Sequence, residues 1–361
     1  MKRISKSITS MIINNYVIFI ILITISIIYL FIHYKNREGL AFGLPYMEDS
    51  YKRLGVVRDK ENKIMYLGDK TFNYSARINN RYAADIANSK VKSTALLRKN
   101  SVPVADSVVW KSNQPIQYNV DLVERKLGYP VVVKPVHGQK GYGVTAGILS
   151  KEELIEAVQP LIDEEKPILI DKHLDGEEYR IMVYNGDIVG VTMRSKPKVI
   201  GDGVHNINQL IDTFNDNKKT SYKCHNINKR LIQKQGFKMS DTPSTGKEVI
   251  ISNIANMSNG GGIDDVEINM IHPDNIVMFK KAAQVSNLKL TGMDFITPSM
   301  LIPYYKMPGE CGILELNNRP GMGVHYYAKG DNRDDFIDGF IKGLFNYNYH
   351  ELNKSHMMNT L

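Results

Sequence analysis

Two stretches, far apart in the chain, carry side chains suited to handling phosphate. The first runs YPVVVKPVHGQKGYG from Tyr129 to Gly143. Gly138, Gly141 and Gly143 permit positive φ and close backbone approach, so a loop here can turn N–H groups onto phosphate oxygens. Lys134, just upstream, can neutralise polyphosphate charge. No Gly-Lys-Ser/Thr follows, so this is not a Walker A loop. Without GxGxxG it is not a dinucleotide-binding turn either. Taken alone, it reads equally well as a flexible hairpin tip. The second stretch is split. Asp294 ends one strand-like segment, and Glu315 and Asn317, two residues apart, share one face of another. Three oxygen-bearing side chains at that density suit Mg²⁺ shared with phosphates, although a solvated strand end would carry the same residues. Asn317-Asn318-Arg319-Pro320-Gly321 then turns sharply and frees the Gly321 N–H.

The elements around these groups alternate in type. Lys134 lies on Val131–Val136, apolar on both faces as in a covered strand. Ser150 to Leu161 reads as a helix opened by a Ser150…Glu153 capping box. Ile168–Leu174 reads as a strand. Tyr179–Tyr184 and Ile188–Met193 flank Asn185-Gly186, a tight hairpin signal. Ser89–Asn100 reads as a helix ended by Pro103, and helices are expected near 207–214, 226–235, 275–287 and 334–345. Thr291–Ile296 and Gly312–Leu316 read as strands, and a weak strand signal lies at Ile64–Leu67. This mixture implies an α/β (α+β) fold rather than a uniform doubly wound sheet.

At 361 residues the chain has room for two or three subdomains. Two cysteines, Cys224 and Cys311, make neither a disulfide framework nor a metal cluster. The net charge of +8 is concentrated: Arg194 to Lys238 holds ten basic residues against three acidic ones. A solvated surface, an attractor for anionic substrate and a nucleic-acid or lipid patch all fit that excess. No aromatic stacking pattern accompanies it, which disfavours nucleic acid. His205, His225, His272 and His325 lack metal-ligand spacing; His325, four residues after Gly321, is the one with a candidate substrate role.

Lys90, Lys134, the GQKGYG loop, Asp171-Lys172-His173-Leu174, Glu178, Asp294 and the run from Glu315 to Gly321 resemble, in order and spacing, the ATP-grasp superfamily. The resemblance extends to the ligase domain of cyanophycin synthetase and of N-acetylglutaminylglutamine synthetase through Val199–Gly203, Ala255–Gly261 and Ile271–Pro273. It covers roughly residues 88–345. It implies two α+β subdomains clasping ATP. Lys90 and Lys134 would contact phosphates, and Gly138 to Gly143 would close over ATP. Asp171, Lys172 and Leu174 would hold adenine, and Glu178 the ribose. Asp294, Glu315 and Asn317 would bind two Mg²⁺ ions, with Mn²⁺ as a substitute. Arg194 would sit near the transferred phosphoryl group and Gly321 near an oxyanion. Some relatives carry an arginine two residues before the metal aspartate; here that position is Gly292, so Arg194, Arg180 or Arg319 would supply the charge. The implied reaction joins a small-molecule carboxylate to an amine through an acyl phosphate. A membrane-tethered ATP-binding module without ligase activity is the alternative.

Tyr16 to Ile32 is an apolar run interrupted only by Thr24 and Ser26, at the lower edge of spanning length. No small-residue cleavage site follows. The expectation is a single-pass membrane protein held through residues 16–34, with its catalytic domain on the cytosolic side. The expected organisation is an anchor over 1–35, a short lobe over 36–88, a ligase domain over 89–350 with a basic insertion at about 196–262, and a tail over 351–361. A homo-oligomer is compatible with all of this.

Overall fold

The structure, a computed structural model, describes residues 44–75, 77–137, 142–218 and 222–345. Helix α1 (Pro45–Leu54) is followed by the short strands β1 (Val57–Asp59), β2 (Ile64–Leu67) and β3 (Lys70–Asn73). Helices α2 (Arg81–Ala87) and α3 (Lys90–Lys99) come next, opened by Asn80 and Ser89, whose side chains accept N–H bonds from Ala83 and Lys92. Then follow β4 (Ser107–Val109), α4 (Ile116–Lys126), β5 (Val131–Pro135), β6 (Thr145–Ile148), α5 (Lys151–Asp163) and β7 (Ile168–Lys172). The hairpin is β8 (Glu177–Tyr184) and β9 (Asp187–Ser195). Asn185 and Gly186 both take positive φ, as a tight two-residue turn requires.

The insertion contains β10 (Lys198–Ile200), α6 (Ile207–Asp216), α7 (Lys229–Lys234) and β11 (Glu248–Ile250). The chain returns through β12 (Gly262–Asp265), α8 (Pro273–Val285), β13 (Leu290–Thr297), β14 (Gly312–Asn317), α9 (Gly323–Ala328) and α10 (Arg333–Phe345).

Two antiparallel sheets frame the molecule. The larger has strand order β12-β9-β8-β13-β14, the smaller β4-β7-β5-β6. Each has its own apolar core. Phe279 and Ala282 of α8 pack with Ile181, Met293 and Phe295 of the larger sheet. Val120 and Val123 of α4 and Leu154 and Val158 of α5 cover Val131, Val133 and Ile170 of the smaller one. Helix α5 opens with Ser150 Oγ accepting from Glu153 N–H, while the Glu153 carboxylate accepts from Leu149 N–H, one residue before the cap.

The two regions that the sequence left unread each have a definite place. Tyr46, Met47, Met65 and Phe72 form one core with Ile337, Phe340 and Leu344 of α10, and Arg53 forks onto Asp338 at 2.7 and 3.1 Å. The start of the described chain therefore packs against its end. The insertion folds on Val199, Ile207, Ile211, Ile232 and Val249. Part of its basic excess faces α5, where Arg230 meets Glu156 at 2.9 Å and Lys234 meets Glu153 at 3.3 Å.

The single-pass placement, with a membrane helix and a cytosolic catalytic domain, is overturned. Among the described residues no helix is long and apolar enough to cross a membrane. Helices α5, α8 and α10 have 13 residues each, about 20 Å at a helical rise of about 1.5 Å, against a hydrocarbon core of about 30 Å. The apolar run at 16–34 lies outside the described residues.

Candidate active site

Strand pairing builds one wall of the site. Asp265 of β12 pairs with Thr192 of β9, Thr192 with Arg180 of β8, Arg180 with Asp294 of β13, and Asp294 with Glu315 of β14. Directly paired residues share a face, so five polar side chains form a row across the larger sheet. Two residues along, Arg194 pairs with Glu178 and Glu178 with Ile296 on the same face. Charges interlock between the rows. Arg180 forks onto Asp294 at 2.5 and 3.1 Å. Arg194 reaches Glu178 at 2.7 Å and Asp294 at 3.3 Å, and Lys90 of α3 lies 3.5 Å from Glu315.

The facing wall is simpler. Lys134 on β5 pairs with Asp171 on β7, both buried in the smaller sheet. Gly143, at the end of the glycine loop, takes positive φ and lies where a Cβ would come within 2.8 Å of Leu161, so the loop's return needs glycine for both space and backbone. Gly138 and Gly141 lie outside the described residues. Between the walls is a cleft of about 440 Å³. Lys90, Lys134, Asp171, Lys172, Leu174, Glu178, Arg194, Asp294 and Glu315 all line it. Lys172 points its ammonium at the carbonyls of Gly128 and Tyr129.

The remaining expected residues stand apart from the cleft. Arg180 joins it only through Asp294. Asn317 donates from Nδ2 to Gly292 C=O at 3.2 Å. Arg319 and Gly321 are exposed on the turn after β14. Gly292 explains why Arg180 fits: a Cβ at 292 would meet Arg180 Nη1 at 2.7 Å and Pro320 Cβ at 2.9 Å. An arginine reaching in from β8 thus fills the space over the position where some ATP-grasp ligases carry one.

Among the described residues, no group of three or more His, Cys, Asp or Glu side chains converges. Asp294 and Glu315 are cross-strand partners, and Asn317 lies two residues along β14, so the set is two carboxylates and one amide. All three present oxygen, and Asp294 is held ionised, which fits a hard divalent cation such as Mg²⁺.

Residues 96–233 match the family model for the D-ala D-ala ligase C-terminus. The chain carries an ATP-grasp domain. It is similar to cyanophycin synthetase from Crocosphaera subtropica, 31% identical over 254 residues, which are 67% of this chain and 28% of that protein. It is also similar to the glutathione biosynthesis bifunctional protein of Streptococcus agalactiae, 26% identical over 265 residues, 67% of this chain and 35% of that protein. The chain thus spans roughly a third of the length of these curated relatives. A bifunctional glutathione synthetase from Pasteurella multocida matches 78% of this chain and 40% of its own, with a TM-score of 0.49 and 22% identity.

The electrostatics of the ATP-grasp cleft follow from burial and the two arginines. Burial pushes the Glu178 carboxyl up, as does the neighbouring Asp294 charge, against the pull of Arg194. Burial acts the same way on Asp294, but Arg180 and Arg194 outweigh it and hold that carboxyl below its ordinary range. Two part-buried carboxylates are thereby pushed apart in acidity. Behind this wall, His325 is fully buried over Gly190, with neither ring nitrogen hydrogen-bonded. Burial, then Arg180, Arg194 and Lys329, push its imidazole down to about 3, so it stands uncharged and does not reach the cleft.

Cleft residues that escaped the sequence reading include Lys196, Lys198, Glu248, Asn253 and Asn256. These five belong to the insertion or its flanks. Asn256 accepts from Arg194 at 3.3 Å and lies in the Ala255–Gly261 run already noted, which was the available signal. Asn253 donates to Ala146 C=O at 3.3 Å, joining the insertion to the smaller sheet.

Proposed function

We propose that the protein is an ATP-dependent carboxylate–amine ligase that forms an amide or peptide bond through an acyl phosphate. The observation that carries this reading is the meeting, in one cleft, of the Arg180–Asp294–Glu315 row with the buried Lys134–Asp171 pair. A cleft with cations on both walls and carboxylates at its floor suits a polyphosphate and a divalent cation better than a neutral metabolite. In this reading Lys90 and Lys134 bind phosphate oxygens, and Glu178 takes ribose hydroxyls. Adenine lies in the apolar slot between Val132, Leu174, Ile296 and Leu314, against backbone groups at 172–174. Asp294, Glu315 and Asn317 would hold Mg²⁺, as one or two ions, or Mn²⁺ in its place. The metal would supply charge neutralisation on the transferring phosphoryl group.

The substrate carboxylate attacks the γ-phosphorus of ATP, which yields an acyl phosphate and ADP. Arg194 and Arg180, held in place by Glu178 and Asp294, stabilise the charge that moves during transfer. An amine then attacks the acyl carbon, the Gly321 N–H and Arg319 stabilise the oxyanion, and phosphate leaves. Closure of the 138–143 loop keeps water from the acyl phosphate. An amino acid or peptide is the proposed substrate, in keeping with the names of the curated relatives.

The test is direct. The chain is incubated with Mg-ATP and a panel of amino acids and N-acyl amino acids, and ADP and new amides are followed by mass spectrometry. Amine-dependent ADP release with a new amide supports the ligase. Bound ATP without turnover across the panel would leave a nucleotide-binding module instead.

A further inference from the structure

The larger sheet changes partner where β14 ends. Strand β13 still pairs with β8 at Leu290 and Thr291, but its last pair with β14 is Gly292 with Asn317. The next rung on the β14 side is made by a side chain. Asn79 is 6% exposed and uses its carboxamide fully. Its Oδ1 accepts from Lys289 N–H at 2.8 Å and Leu290 N–H at 3.1 Å, and its Nδ2 donates to Leu290 C=O at 2.7 Å and Asn318 C=O at 2.9 Å. A carboxamide presents the same donors and acceptor as a peptide unit, so Asn79 completes the ladder in place of β14. The chain after Asn317 is thereby free to leave the sheet.

The same segment grips the departing chain from the other side. Asn318 donates from its own side chain to Asn88 Oδ1 at 2.8 Å and to Ala84 C=O at 3.3 Å, at the end of α2. Two residues beyond Asn88, α3 begins with Lys90, which reaches Glu315. Residues 79–90 therefore touch β14 at Glu315, just past its end at Asn318, and β13 at its start.

We propose that Asn79 is a positioning residue that sets the Asn317–Gly321 turn, and with it the Asn317 amide and the Gly321 N–H. This inference rests on the roles given to Asn317 and Gly321 under Proposed function. It also assigns a task to the region ahead of α3: residues 79–88 fix the direction in which the site's last strand ends. Loss of the carboxamide leaves β13 N–H and C=O groups and a turn carbonyl without partners, and the turn regains the freedom to slide.

The test compares adjacent asparagines. Asn79→Ala removes the rung. Asn79→Asp keeps the shape but turns both donated bonds into oxygen–oxygen contacts. Asn80→Ala is the control, because Asn80 caps α2 from the same loop without touching the turn. Amide exchange of peptides spanning 317–323 is expected to quicken at least tenfold in both Asn79 variants and to stay near wild type in Asn80→Ala. The Mg²⁺ concentration that gives half-maximal stabilisation by a non-hydrolysable ATP analogue is expected to rise five- to tenfold in the Asn79 variants alone. Unchanged exchange in Asn79→Ala, or equal changes in Asn80→Ala, would overturn the proposal. If the Asn79 variants do not fold, Asn318→Ala loosens the same turn from the α2 side and is read by the same two measurements. A wild-type protein that no nucleotide stabilises would remove the ATP reading, while the exchange measurement still decides whether Asn79 sets the turn.

Discussion

The two walls of the cleft are built on opposite plans. The larger sheet presents two rows of charge, in which Arg180, Arg194, Asp294 and Glu178 are mutually paired and Glu315 is met by Lys90. The smaller sheet presents one buried pair, Lys134 with Asp171, amid apolar residues. A wall of interlocked charges is rigid and orders its groups before a ligand arrives, which is what phosphoryl transfer asks of its surroundings. A wall of one ion pair and backbone groups offers a ligand fewer fixed charges instead. The difference implies that damage to the first wall harms mainly the chemistry, whereas damage to the second harms mainly nucleotide binding.

The largest effect is expected at the centre of the charged wall. Asp294→Asn removes the counter-charge from two buried arginines, and breaking such a network costs about 3–5 kcal/mol. Denaturant unfolding should show that loss, and ADP release should fall by about a thousandfold or more. Turnover near wild type would refute the role given to Asp294. Next comes Glu315→Ala, which removes an oxygen donor and the partner of Lys90. It should abolish turnover while costing little stability, because Glu315 is part-exposed. On the facing wall, Lys134→Met should weaken nucleotide binding about 10- to 100-fold, the worth of about 1.5–3 kcal/mol for a hydrogen bond to a charged group. Calorimetric titration with an ATP analogue measures it, and a change in turnover at saturating ATP as large as that of Asp294→Asn would erase the distinction between the walls.

A smaller effect concerns His325, behind the charged wall. Folded, its imidazole is held down to about 3 by burial and by Arg180, Arg194 and Lys329, the last paired to Asp265. Unfolded, it titrates at about 6.5. Between those values the unfolded chain binds the extra proton, so stability rises with pH and is lost as pH falls from about 6.5 toward 3. The slope from this one group is at most about 1.4 kcal/mol per pH unit. His325→Leu should remove it, and parallel stability–pH curves for the two proteins would contradict the assignment. Smallest of all, Arg230→Ala or Lys234→Ala should cost less than about 1 kcal/mol, since exposed ion pairs contribute little and are screened by salt.

Much of the framework was legible locally. The Asn185-Gly186 turn, the Ser89 and Ser150 caps, and the apolar runs of β5, β7 and β13 each announce their element within a few residues. Nine of the residues singled out by the resemblance line one cleft. What escaped the reading depended on contacts between distant segments. Nothing local tells that Asn79 finishes a sheet rung beside Leu290, that Tyr46 and Met47 pack on α10, or that the insertion has its own core and sends Lys196 and Asn253 into the cleft. The expected membrane placement is overturned because no helix among the described residues is long and apolar enough to cross a membrane.

The division has a physical basis. Turn chemistry, capping and periodicity act over a few residues, so the amino-acid order alone determined which elements form and which side chains could handle phosphate. Pairing of β8 with β13 and of β13 with β14 acts across long loops. Only the tertiary structure decided that Arg180, Asp294 and Glu315 stand in one row, that Gly292 is empty so Arg180 can lie over it, and that a carboxamide from residue 79 ends the ladder where the turn begins.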